Sequence, residues 1–176
     1  MRNLRIPFVL LLLLAVSGCT GIEKAPREHA TKLIQPVSSE ELVFEDDDIR
    51  VAFTVSRRRI NFTLWNKTQE PIAIIWDEVL FRDPEGATHW VLNREQDPKK
   101  VPAKTAQAAS SHAYMESTTV PAESSYSDYV RPFPSGFQDV FIYPSKYAAG
   151  SRFKLTVPME ITGQIKIYTF GFEVMD

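Results

Sequence analysis

From about residue 42 onward, hydrophobic positions recur at every second residue, the period of a half-buried β-strand. In IRVAFTV (49–55) Ile49, Val51, Phe53 and Val55 share one face, with Arg50 and Thr54 on the other. RINFTLWN (59–66) alternates again through Ile60, Phe62 and Leu64, and the arginines Arg57, Arg58 and Arg59 between these runs fit an exposed turn. PIAIIW (71–76) is nearly continuous apolar and predicts a central strand buried on both faces. EVLFRDPEGATHWVL (78–92) predicts a hairpin turning at Asp83-Pro84-Glu85-Gly86, because proline presets φ and glycine supplies φ > 0. STTV (117–120), SSYSDYVR (124–131) and RFKLTVPMEI (152–161) read as further strands, and Thr162-Gly163 turns the chain into QIKIYTFGFEVM (164–175). There Ile165 and Ile167 occupy one face while Tyr168, Phe170, Phe172 and Val174 occupy the other, which predicts burial on both faces or a bulge near Gly171. About eight or nine short strands with almost no helical period predict an all-β fold, a single immunoglobulin-like β-sandwich.

The N-terminus has a different pattern. Arg2 and Arg5 precede an unbroken apolar run, Phe8 to Val16, which ends in the small residues Ser17 and Gly18 before Cys19. A charged start, a short apolar segment and a small-residue exit define a secretory signal peptide. The run falls short of the roughly 20 apolar residues that span a bilayer. Val16-Ser17-Gly18-Cys19 resembles the lipobox of bacterial lipoproteins, with valine where leucine is commonest. The resemblance implies a diacylglyceryl group on the Cys19 sulfur, cleavage just before it and acylation of the new amine. Several acyl chains anchor stably where one binds marginally. Thr20 stands where an aspartate would imply inner-membrane retention, so the expected location is the outer membrane, facing the periplasm.

The expected organisation is therefore a signal peptide over 1–18, a lipidated flexible tether over 19–40 and a β-sandwich domain over 41–176. The tether expectation rests on Pro26, Pro36 and a polar mix without sustained period. Losing Arg2 and Arg5 with the signal peptide leaves 18 basic against 22 acidic residues, a net charge of −4. That balance disfavours nucleic acid as a partner, since phosphate binding needs a basic surface. Cys19 is the only cysteine, so no internal disulfide forms and the core must supply the stability.

NKTQEPIAIIWDEVLFRDPEG (66–86) resembles a group of small bacterial lipoproteins in which an N-K-T-x-x-P-I segment precedes W-D-x-x-x-F-x-D-x-x-G. Val120-Pro121-Ala122 and the strand Tyr168, Phe170, Phe172, Val174 match two further features of that group. The similarity spans most of 60–175 and implies fold and localisation, with no activity attached. The stretch AKTAQAASSHAYM departs from the basic, proline-rich middle section usual there.

Candidate chemistry is sparse. His29, His89 and His112 lack metal-ligand spacing, and Ser110-Ser111-His112 has no strand–turn–helix elbow around it. Glu45-Asp46-Asp47-Asp48 lacks the spaced ligands and glycine of a calcium loop and reads as an acidic strand-end turn. Asp77-Glu78 has no second acidic group that sequence can match to it. No catalytic residue, cofactor or metal site is expected. The membrane is an expected partner through the lipid on Cys19, and an envelope protein or glycan is the other. The surface expected to meet it is the long interruption over 93–116, with Trp90, Lys99, Lys100, His112 and Tyr114. The reading is a lipid-anchored, non-catalytic interaction or structural module. The alternatives are a carbohydrate- or peptidoglycan-binding module, using Trp65, Trp76, Trp90, Tyr114, Tyr126 and Tyr129 as a stacking platform, and third an envelope hydrolase.

Overall fold

The computed structural model describes residues 30–56, 59–95, 116–133 and 148–176, and no α-helix lies among them. Eleven strands follow in chain order: β1 (Thr31–Gln35), β2 (Val43–Glu45), β3 (Ile49–Val55), β4 (Ile60–Asn66), β5 (Ile72–Ile74), β6 (Leu80–Arg82), β7 (Thr88–Leu92), β8 (Thr118–Val120), β9 (Ser125–Phe133), β10 (Arg152–Ile161) and β11 (Gln164–Val174). They form one large antiparallel sheet in the order β1-β11-β10-β6-β7-β9-β4-β3-β2, with β5 between β10 and β8. The all-β expectation holds.

The sheet folds over itself at β9. Ile60–Trp65 of β4 pair with residues 125–130, and β7 then takes over at residues 131–133. The β2–β3–β4 end is thereby laid over β10 and β11, giving a nearly barrel-like body. Phe53 stands 4.7 Å from Phe170 and 5.3 Å from Phe172 between ring centres, and Phe44 5.7 Å from Phe170. Ile49, Val51, Ile60, Leu64, Phe153, Leu155 and Met159 are buried with them. Each such side chain contributes about 1.5–3 kcal/mol through removal from water.

Three expectations need correction. PIAIIW is not a strand buried on both faces, because β5 stops at Ile74 and a 3₁₀ turn, Trp76–Glu78, follows. The turn drops Trp76 into the core, where its indole N–H donates to Thr118 Oγ1 at 2.7 Å. β5 and β6 then lie end to end beside β10, as one strand broken by that turn. Residues 31–35, inside the stretch expected to be tether, form β1 and pair with the end of β11. Finally, β11 keeps one alternation throughout. Tyr168, Phe170, Phe172 and Val174 are buried, while Ile165 and Ile167 are exposed at 60% and 67%. The irregularity near Gly171 lies across the ladder, in β1 between Leu33 and Gln35. Gly171 admits that approach, since a Cβ there would lie 3.0 Å from the Gln35 Cβ.

Two turns match their sequence signals. Gly86 N–H donates to the Asp83 carbonyl at 3.0 Å with Gly86 at φ 90°. Thr162 (φ 50°) and Gly163 (φ 74°) form the two-residue loop between β10 and β11, whose paired positive φ values match the right-handed twist of a hairpin.

Candidate functional site

Two of the segments that carry the resemblance, Asn66–Thr68 and Val120-Pro121, meet at one corner. Asn66, 3% exposed, ends β4, and its side-chain amide donates to the carbonyls of Glu70, Val120 and Pro121 at 2.8, 3.1 and 2.9 Å. Its side-chain oxygen accepts from the Thr68 N–H and hydroxyl at 2.9 and 2.8 Å. The N-K-T segment is thus clamped onto the Val120-Pro121 turn, 54 residues away in the chain for the Asn66–Val120 bond. Trp76, Phe81, Phe170, Phe172 and Val174 are core, and Asp83 and Gly86 close a hairpin. These motifs build the fold.

The acidic turn behaves likewise. Asp46 Oδ1 accepts the N–H groups of Asp48 and Ile49 at 2.9 and 2.8 Å, while its Oδ2 accepts the Tyr168 hydroxyl at 3.1 Å. Lys166 pairs with Asp48, and Lys67 bonds Glu45 at 2.7 Å and the Asp46 carbonyl at 2.6 Å. The Lys67 bond and charge hold the Glu45 carboxyl below its ordinary pKa. Partial burial, then the Asp46 charge and bond, push the Tyr168 phenol up. Among the described residues no three metal-ligating side chains gather. His89 meets Asp83 at 2.8 Å inside its own hairpin, with no third ligand.

Sequence reasoning missed a buried carboxylate. Asp128 is 3% exposed on β9 and takes the Tyr126 hydroxyl at 2.5 Å, the Tyr129 N–H at 2.7 Å and the Arg94 N–H at 3.2 Å. The Arg94 guanidinium stands 3.7 Å away, and burial followed by the Asp128 bond raises the Tyr126 phenol. Arg59 and Arg94 lie 4.6 and 5.9 Å from the Tyr129 ring. This cluster sits where the interruption over 93–116 leaves β7. By accepting these donors the carboxylate ties β9 to the start of the segment after β7. The only available signal was phase: Tyr126, Asp128 and Val130 follow the inward positions of β9.

The remaining candidates disperse. Trp90 is 41% exposed on β7, opposite Leu80. Lys99, Lys100, His112 and Tyr114 lie outside the described residues, as do Cys19, His29 and Ser110-Ser111. Trp76 and Tyr129 are buried, and Trp65 sits on β4 with the Arg50 guanidinium 4.6 Å from its ring. The described tryptophans therefore do not form one platform. Asp77 and Glu78 are exposed on the 3₁₀ turn. Among the described residues the large hydrophobic side chains left exposed are Val37, Trp90, Ile165 and Ile167, and the last two are the most exposed. Among the described residues no helix is long and apolar enough to cross a membrane. No family model, no curated protein and no solved structure matches the chain.

Proposed function

We propose that this chain is a lipid-anchored protein of the bacterial cell envelope, acylated at Cys19 after removal of residues 1–18, and that its β domain is a non-catalytic interaction or structural module. The carrying observation is the order Arg2, Arg5, Phe8 to Val16, Ser17-Gly18-Cys19, which has a reason only if the thiol is a lipid acceptor. On this reading the protein sits at the outer membrane and faces the periplasm. The domain is of sandwich type, immunoglobulin-like in broad architecture, with the sheet crossing between layers at β9. Eleven residues separate Cys19 from β1 and can span at most about 40 Å, which keeps the domain near the lipid surface.

Support for a non-catalytic role comes from the polar side chains themselves. Asn66, Asp46, Asp83 and Asp128 each bond backbone groups that hold turns and strand ends, and the three carboxylates also bond the side chains of Tyr168, His89 and Tyr126. The test is Cys19→Ser. Labelled palmitate should enter the unsubstituted protein and not the variant, which should migrate as the uncleaved precursor. Equal labelling of the two would contradict the anchor.

A further inference from the structure

Sheet edges present unpaired N–H and C=O groups, and proteins protect them by covering, shortening or charging them. Among the described residues, the sheet edges at β1, β2 and β11 differ in protection. The outer edge of β1 is covered by the returning chain, with Leu33 and Ser39 exchanging two bonds of 2.9 Å. β2 is three residues long and carries Glu45, which Lys67 and Arg50 engage. On β11, however, β1 covers only Gly171–Val174, so Gln164–Phe170 has β10 on one side and no partner strand among the described residues on the other.

The parity of this edge follows from Pro158. Its carbonyl accepts the Ile75 N–H on the β5 side, so the backbone groups of Pro158 point away from β11. Pro158 faces Ile167, and that pair therefore exchanges no hydrogen bonds. Ile167 then points its N–H and C=O outward, as do Ile165 and Thr169 two residues either side. The β1 end agrees with this parity, since Leu33 turns its own groups to Ser39 and faces Phe172 without bonding it. The same two isoleucines that offer backbone groups at the edge also expose their side chains on the outer face. Lys166, the one charge in the segment that would guard the edge, is turned to the other face and neutralised by Asp48.

We propose that a second copy of this chain docks here, β11 against β11 in antiparallel register about a two-fold axis at Ile167. The segment is complementary to itself in this register. Ile167 faces its own copy and Ile165 faces Thr169 of the other chain, so the six outward N–H and C=O groups of each chain pair across the axis. Four isoleucines become contiguous on the outer face. Centring on Lys166 instead sets two lysines directly opposite each other, which destabilises a strand pair. A heterologous peptide would satisfy the backbone equally, but only the copy matches the isoleucines by symmetry. The inference does not rest on acylation of Cys19.

Cross-linking in the full chain tests it. Opposed Cα atoms in a hydrogen-bonded antiparallel pair are about 5.5 Å apart, within disulfide range. Ile167→Cys should therefore give a disulfide-linked dimer on a non-reducing gel. Ile165→Cys should not, since its two copies lie about 13 Å apart in this register. The unsubstituted chain controls for Cys19. Sedimentation equilibrium of the full chain in detergent should show a dimer whose Kd rises at least about tenfold in Ile167→Lys, which opposes two charges. No dimer from Ile167→Cys, equal cross-linking from Ile165→Cys, or a monomer unaffected by Ile167→Lys would each overturn the proposal.

Discussion

The part of β11 from Gly171 to Val174 has β10 on one edge and β1 on the other, with the Phe53 ring against Phe172 on its inner face. Among the described residues, the half from Gln164 to Ile167 has β10 alone as a partner strand, and its residues are exposed. Both halves keep the same alternation and are rich in apolar side chains. What separates them is whether a strand covers the edge. Hydrophobic pattern selects which side chains face inward, but tertiary pairing decides whether the outward ones meet solvent.

The comparison breaks most severely in the covered half. Phe172 is fully buried, 5.0 Å from the Phe153 ring and 5.3 Å from that of Phe53. Phe172→Ala should cost about 3–5 kcal/mol by denaturant unfolding, through lost transfer energy and a cavity. Gly171→Val should cost about 1–3 kcal/mol, because the new Cβ must displace Gln35 and overpack the junction with β1. Its signature would be faster amide exchange in Thr31–Gln35 than elsewhere in the sheet.

Much of this was legible in the chain, and the failures have physical causes. β3, β4, the β6–β7 hairpin and β8 through β11 follow directly from period two. β1 was hidden because TKLIQ is five residues with no neighbouring period, and its strand state comes from pairing with β11. The break after Ile74 depends on Trp76 finding Thr118 on a strand 42 residues later, which local pattern does not encode. Asn66 could be recognised as part of a motif, but its role needs the Val120 and Pro121 carbonyls of a distant turn. Asp128 carries no comparable signal, because alternation gives no reason for a carboxylate to face inward.

A smaller effect concerns pH. Burial and Asp46 raise the Tyr168 phenol above its ordinary value of 10.0, and burial and Asp128 do the same to Tyr126. Above that value the unfolded chain releases phenolic protons that the native state retains. The contribution of these phenols is therefore fully present below about pH 10 and is lost as pH rises above it. Tyr168→Phe should make the alkaline decline of the melting temperature shallower, while a decline as steep as that of the unsubstituted protein would contradict the assignment.

The most direct test of the account is residue-resolved amide exchange along β11, in the unsubstituted chain above its dimer Kd and in the monomeric Ile167→Lys variant. In the variant, the amides of Lys166 and Tyr168, which face β10, should exchange slowly, and those at 165, 167 and 169 fast. In the unsubstituted chain the amides at 165, 167 and 169 should become slow as well. Slow exchange at 165, 167 and 169 in the variant, or fast exchange there in the concentrated unsubstituted chain, would contradict an open edge filled by a second copy.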